Sequence, residues 1–210
     1  MNLSDLRRDF GKEKEQAVRW PDEPLLLFAE WLQEAIDREI PEANAMTLST
    51  CGADKAPSAR IVLLKEFSEN EGFLFYTHYH SRKGKALKEN PRASLHFFWR
   101  ETEKQVSIEG RVSRVSPEKS DAYFYSRPRE SQISAFLSPQ SKPLVDPEML
   151  YRQWQTWERS QQKIKRPANW GGYRLIPERM EFWQGGRYRL HHRMVYQKTA
   201  EGWHTSRLAP

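Results

Sequence analysis

Four short segments gather cationic, hydroxyl and aromatic residues more densely than a solvated surface requires. In ARIVLLK, Arg60 and Lys65 flank an apolar run, and on a strand of period two they point to opposite faces and grip different groups. In FYTHYHSRKGKAL a strand ends at Thr77 and a helix opens near Ser81, leaving Arg82 and Lys83 in its first turn. Cations oppose a helix dipole at that end, and an anion such as phosphate lying between them would explain the arrangement. In YFYSRPRESQIS, Pro128 breaks a helix and aims Tyr123, Arg127, Arg129 and Ser131 into one turn, which suits the clasping of a dianion. Near the C-terminus, FWQGGRYRLHHRMVY sets Trp183, Arg189, His191, His192 and Arg193 around a glycine pair, as an anionic or aromatic ligand would need. Each segment also has a plainer reading, as snorkelling surface charge, an exposed basic helix or a structural corner.

Other chemistries find no support. His191 and His192 are neighbours on a strand and face opposite ways, with no cysteine or carboxylate at ligand spacing, so no metal is expected. GxSxG, HExxH and CxxC do not occur, and no serine has a recognisable histidine and aspartate beside it. GxGxxG and GxxxxGK[ST] are missing too, which argues against a dinucleotide fold and a P-loop. An enzyme built from such binding groups takes its reactivity from a bound cofactor.

These residues must be positioned by mostly β elements. Leu25, Phe28, Leu32 and Ile36 predict an amphipathic helix over residues 24–39, with Asp22 as its cap. Strands are predicted at 45–51, 58–66, 73–78, 93–99 and 104–115, with a short helix in SRKGKALKEN stopping before Pro91. Ser116 and Pro117 open a helix to about Ser126, a second covers 129–137, and Asp146 and Pro147 open a third. In that third helix Leu150, Trp154, Trp157 and Ile164 form one face, ending near Pro167. GYRLI, RMEFW, RMVYQK and WHTSRL then read as strands, the last two joined by a turn at residues 200–202. Six to eight mostly antiparallel strands with inserted helices indicate an α+β barrel-like domain.

Composition agrees with a globular protein: 210 residues, 38% hydrophobic and 30% charged. A formal charge of +6 favours anionic partners, but the basic residues are scattered and no nucleic-acid motif occurs, which points to small phosphorylated ligands instead. No window resembles a membrane span or a secretory signal, and Cys51 is the single cysteine, so a cytoplasmic protein without disulfides is expected.

Taken in order, RIVLLK, FYT, SRK, NPRASL, FFW, QVSIEG, SRPRESQI, SPQS, WGG, EFWQGG, RLHHR and the final RLAP resemble the pyridoxine (pyridoxamine) 5'-phosphate oxidase family over residues 24–210. The resemblance implies a mostly antiparallel split β-barrel that forms a homodimer, with FMN bound in clefts between the subunits. It divides the chain into an N-terminal arm (1–23), an FMN-binding core (24–166), and C-terminal strands (167–210) that complete the barrel and the dimer interface. By the same resemblance Arg60, Ile61, Val62, Leu63, Leu64, Tyr76, Thr77, Arg82, Lys83 and Gln105 contact FMN from one subunit. Gln140, Ser141, Trp183 and Arg193 contact it from the other. Lys65, Tyr123, Arg127 and Ser131 would hold the substrate phosphate, Arg7 of the arm would help cover the substrate, and Arg189 and His191 would approach the reacting carbon.

The implied reaction is the oxidation of pyridoxamine or pyridoxine 5'-phosphate by dioxygen to pyridoxal 5'-phosphate with release of hydrogen peroxide. Two positions depart from the family pattern. The arm's R-x-x-Y reads Arg7, Arg8, Asp9, Phe10, which loses a phenol, and RLHDR reads Arg189 to Arg193 with His192 in place of an aspartate that could orient an arginine. A related split-barrel oxidase of another aromatic substrate, such as the phenazine-pathway relatives, and a non-catalytic flavin or pyridoxal-phosphate carrier are the alternatives.

Overall fold

A single strand of 15 residues, Trp170–Gln184, organises the sheet. The structure, a computed structural model, describes residues 3, 5, 9–11 and 19–210. Along the chain these form α1 (Pro24–Asp37), β1 (Ala45–Cys51), β2 (Pro57–Leu63), β3 (Glu66–Ser68), β4 (Gly72–His78), α2 (Arg82–Glu89), β5 (Arg92–Trp99) and β6 (Lys104–Arg114). Then come α3 (Pro117–Ser126), α4 (Arg129–Leu137), α5 (Pro147–Arg159), β7 (Trp170–Gln184), β8 (His192–Thr199) and β9 (Gly202–Arg207). The strands make one sheet ordered β2-β1-β5-β6-β7-β4-β3, with β8 paired to β7 and β9 to β8. Every pairing is antiparallel, as expected.

The segments GYRLI and RMEFW are one strand rather than two. Pro177 lies inside it, opposite Gly110, and the register shifts there so that Glu178 has no partner on β6. A bulge is where a strand tolerates a residue without an amide donor. Beyond the bulge β7 changes neighbours. Its edge away from β6 pairs with β4 over Trp170–Leu175 and with β8 over Arg179–Gln184. The sheet therefore splits at Pro177 and curls into a half-barrel.

Helix α1 closes the curl. Phe28 meets Phe67, Phe73 and Phe97 edge-on at 4.9, 5.0 and 5.1 Å, and Trp31 meets Phe182 at 5.3 Å. Its buried face is Leu27, Phe28, Trp31, Leu32 and Ala35, one residue round from the stripe read in the sequence, and Ile36 is exposed. The helix begins with Pro24 after Glu23, and no side chain caps it, so Asp22 is not the cap. Lys104 of β6 ties the helix to the sheet by pairing with Glu34 and lying 4.9 Å from the Trp31 ring centre.

A second, smaller core of Phe124, Ile133, Ala135, Ile164 and Trp170 gathers α3, α4 and the start of β7. Ile164 belongs to the extended segment after α5, not to that helix, whose capping by Asp146 and opening at Pro147 are as expected. The predicted strand 58–66 is also broken. β2 stops at Leu63 and β3 starts at Glu66, so Lys65 sits in the link and does not share a strand with Arg60.

At the bulge a Cβ on Gly110 would lie 2.0 Å from the carbonyl oxygen of Ile176, a backbone atom that cannot give way without opening the β6–β7 ladder. Gly110→Ala should cost about 3 kcal/mol of stability. Urea unfolding measures this, and an unchanged midpoint would contradict the register at the split.

Candidate functional site

A cleft of about 570 Å³ opens where β4, α2 and the α3–α4 corner meet. Among the predicted site residues it brings together Ile61, Val62, Leu63, Lys65, Tyr76, Thr77, Lys83, Tyr123, Arg127, Ser131 and Gln140. Its aromatic wall is a stack. Tyr76 and Tyr123 lie 3.8 Å apart, Trp170 follows at 5.7 Å from Tyr76, and the Arg127 guanidinium sits 4.8 Å from the Trp170 ring centre. Arg127 ends α3 and Pro128 begins α4, so the proline turn does direct Tyr123, Arg127 and Ser131 into one space. Arg129 turns away and donates to the carbonyls of Trp157, Ser160 and Gln162, which ties down the end of α5.

Among the described residues the cations here are organised without anions. Ser81 caps α2, accepting from Gly84 N at 3.3 Å, and this places Lys83 beside β4. Lys83 Nζ donates to Thr77 Oγ1 at 3.1 Å and to Gln140 Oε1 at 2.9 Å. Burial, with Arg60 close by, pushes the Lys83 ammonium down to about 8. Arg60 lies behind the cleft wall, its guanidinium held by Leu48 O, Thr50 Oγ1 and Ser58 Oγ, and burial together with Arg82 lowers its pKa as well. Arg127 Nη1 and His78 Nδ1 are buried without hydrogen-bond partners among the described residues. Burial, then Lys83, Arg127 and His80, push His78 down to about 4, so its imidazole is neutral near pH 7. An unpartnered buried polar group costs about 1–3 kcal/mol, and a bound phosphate would relieve both that cost and the crowding of positive charge.

A separate depression of about 230 Å³ lies at the far end of β7, lined by Gln105, Ser107, Glu181, Trp183, Arg193 and Pro210. Trp183 is the register partner of both Gln105 and Arg193. His191 stacks at a tilt on Trp183 at 4.6 Å, and Phe10 meets both rings edge-on. The loop leading to His191 is tight. Tyr188 and Arg189 have φ of 56° and 63°, a left-handed conformation unusual for side chains this large, and it holds Arg189 exposed. Gly186 N donates to His191 Nδ1 at 3.2 Å. Burial and the neighbouring Arg189 and Arg193 lower the His191 pKa.

The two depressions stand apart on one chain. Thr77 pairs with Gly171 and Arg193 with Trp183, twelve residues further along the same strand. Within one chain Gln105 lines the depression with Trp183 and Arg193, whereas Gln140 bonds Thr77 and Lys83. Leu64 is buried in the core with its backbone groups engaged by Asn44, and Arg60, Arg82 and Ser141 do not line the cleft. Arg7 and Arg8 lie outside the described residues. His78, Trp170 and Glu181 escaped the sequence reading because their roles depend on packing from distant strands.

The antiparallel sheet split around β7 defines the class, a split-barrel protein. Residues 32–160 match the family model described as pyridoxamine 5'-phosphate oxidase, and residues 170–210 match the pyridoxine 5'-phosphate oxidase C-terminal dimerisation region. The chain belongs to the pyridoxamine 5'-phosphate oxidase family. It is 47% identical to the pyridoxine/pyridoxamine 5'-phosphate oxidase of Bordetella petrii, over 100% of both chains. It is 45% identical to the protein of the same name from Nostoc sp., over 99% of this chain and 98% of that one. Among solved structures, PhzG from Burkholderia lata 383, in complex with tetrahydrophenazine-1-carboxylic acid, superposes with a TM-score of 0.87 at 33% identity, over 90% of this chain and 94% of that one. A pyridoxamine 5'-phosphate oxidase-related, FMN binding protein from Nostoc punctiforme shares the fold, with a TM-score of 0.71 at 16% identity over 91% and 98% of the two chains. No helix among the described residues is long and apolar enough to cross a membrane.

Lys83 supplies a pH signature. In the folded ligand-free chain it loses its proton near pH 8, whereas an ordinary lysine does so near 10.5, so between those values the unfolded state binds the extra proton and stability rises with pH. Tyr76 and Tyr196, each pushed up to about 12, reverse the trend only above about pH 10, where an unfolded tyrosine ionises. Urea midpoints of the ligand-free protein should therefore climb from about pH 8 to 10, and saturating inorganic phosphate should flatten the climb. A midpoint that falls over this range without phosphate would contradict the buried ammonium.

Proposed function

We propose that the protein is an FMN-dependent oxidase that converts pyridoxamine or pyridoxine 5'-phosphate to pyridoxal 5'-phosphate, working as a cytoplasmic homodimer in vitamin B6 metabolism. The amine, with dioxygen and water, would give the aldehyde, ammonia and hydrogen peroxide; the alcohol and dioxygen would give the aldehyde and hydrogen peroxide. The observation that carries the reading is the pairing of an anion-hungry cleft with a separate depression formed around Trp183, Arg193 and the neighbouring His191, lined by a different set of residues of the same chain. A twofold dimer would set the cleft of one chain against the depression of its partner, in keeping with the dimerisation region matched by residues 170–210. Within this reading residues 24–166 carry the cleft, residues 167–210 carry the second half-site and the contact between subunits, and residues 1–23 form a covering arm.

Bound FMN would supply the electron acceptor and its reoxidation by dioxygen. Lys83, Thr77, Tyr76 and residues 61–63 would hold it from the cleft, with Arg60 and Arg82 adding positive charge behind them and Gln140 and Ser141 beside them. Gln105, Trp183 and Arg193 would hold it from the partner. Lys65, Tyr123, Arg127 and Ser131 would bind the substrate phosphate, and Arg127 Nη1 is a donor in need of such an acceptor. His191 accepts at Nδ1, so its neutral imidazole carries the proton on Nε2 and offers a donor to a polar substituent of the substrate. Arg189 would cover the substrate ring, and Arg7 and Phe10 of the arm would exclude water.

The 33% identity to PhzG supports a second reading, oxidation of another aromatic substrate. The substrate phosphate separates the two. Two or three charge-assisted hydrogen bonds should contribute about 4 kcal/mol, so pyridoxamine without phosphate should lose on the order of a thousandfold in kcat/KM, measured as peroxide release. Arg127→Ala should shrink that difference, because its clasp is already broken for the phosphate ester. Unphosphorylated amine oxidised within a few fold of the ester would favour the second reading.

A further inference from the structure

We infer that Glu181 is the positioning residue for Arg193. This rests on the reading of Arg193 as a flavin contact. Arg193 Nε and Nη2 both donate to Glu181 Oε1, at 3.0 and 2.6 Å, and Nη1 donates to Ala209 O at 2.9 Å. Among the described residues three of the five N–H donors of the guanidinium are thus committed, which leaves two for a ligand. The register explains the reach. Arg193 sits opposite Trp183, and Glu181 is the next residue of β7 on the same face, one diagonal step away.

Glu181 is itself held. Arg179 Nη2 donates to its second oxygen at 2.7 Å while Arg179 Nη1 reaches Glu109 at 2.8 Å. The chain Glu109, Arg179, Glu181, Arg193 alternates in sign across β6, β7 and β8 and sums to zero charge. Burial alone would raise the Glu181 carboxyl, but the hydrogen bonds from Arg179 and Arg193 outweigh it and hold the group below its usual range. The side chain of Glu181 is only 17% exposed, so the carboxylate is not simply a solvated surface charge. His96 of β5 stands in the same row, bound to Ser107, and burial keeps its pKa low, so it adds no competing cation near neutrality. The exposed His192, one residue before Arg193, has no hydrogen bond to its guanidinium.

The test is equilibrium binding of FMN to the apo-dimer, followed by flavin fluorescence, for Glu181→Ala, Glu181→Gln, Arg193→Ala and the double variant. Glu181→Ala should weaken binding at least about fivefold in the parent and change it less than about twofold in the Arg193→Ala background, since the two residues act as one unit. Glu181→Gln, which keeps the shape and one acceptor, should fall between parent and Glu181→Ala. Equal weakening by Glu181→Ala in both backgrounds, or none in the parent, would overturn the positioning role. If Arg193→Ala itself left FMN affinity unchanged, the flavin-contact reading would fail instead, whatever Glu181 did. Should Glu181→Ala not fold, Glu181→Gln in the two backgrounds decides the matter by the same comparison.

Discussion

β7 has one neighbour along its β6 edge and two in succession along the other, and the site depends on that constraint. A strand of 15 residues is too long for β4 alone to cover, so β8 takes over beyond the bulge at Pro177. The handover fixes where functional groups stand. Residues delivered by β4 and α2 collect at the start of β7, and those delivered by β8 and the end of β6 collect at its finish. Gly110 makes the handover possible, because any side chain there would collide with the Ile176 carbonyl.

From this separation follows the electrostatic character of each half. The first end collects Lys83, Arg127 and, behind the wall, Arg60, with no carboxylate paired to them among the described residues, and leaves the buried Arg127 Nη1 without a partner there. Such a cluster destabilises a chain on its own and is relieved by an anion. The second half-site is electrically balanced. Glu181 neutralises Arg193 and fixes its direction, so this half presents oriented donors and aromatic faces instead of net charge. One end is thus suited to an anion and the other to oriented hydrogen bonds and ring contacts.

Much of this was legible from local sequence. Ser81, Ser116 and Asp146 cap helices as their residue types require, and the turn at Pro128 brings Tyr123, Arg127 and Ser131 together. What was not legible depends on long-range pairing. Pro177 looks like a strand terminator until its register partner is seen to be a glycine at a bulge. Gln105 lies beside Trp183 because β6 pairs with β7, and Gln140, in the turn after α4, reaches Thr77 and Lys83 across the cleft. Glu181 reads as an ordinary exposed acid in RMEFW, and only the alignment of β7 with β8 reveals the arginine it holds.

The central claim is that each site takes its phosphate-binding cleft from one chain and its Arg189 loop from the other. A purified hybrid dimer of one Arg127→Ala chain and one Arg189→Ala chain tests it most directly. Both parent homodimers should be nearly inactive toward pyridoxamine 5'-phosphate, whereas the hybrid contains one site with both arginines intact and should recover about half the turnover of the unaltered dimer. A hybrid as inactive as its parents, with FMN still bound, would mean that each site is built within a single chain and would contradict the account.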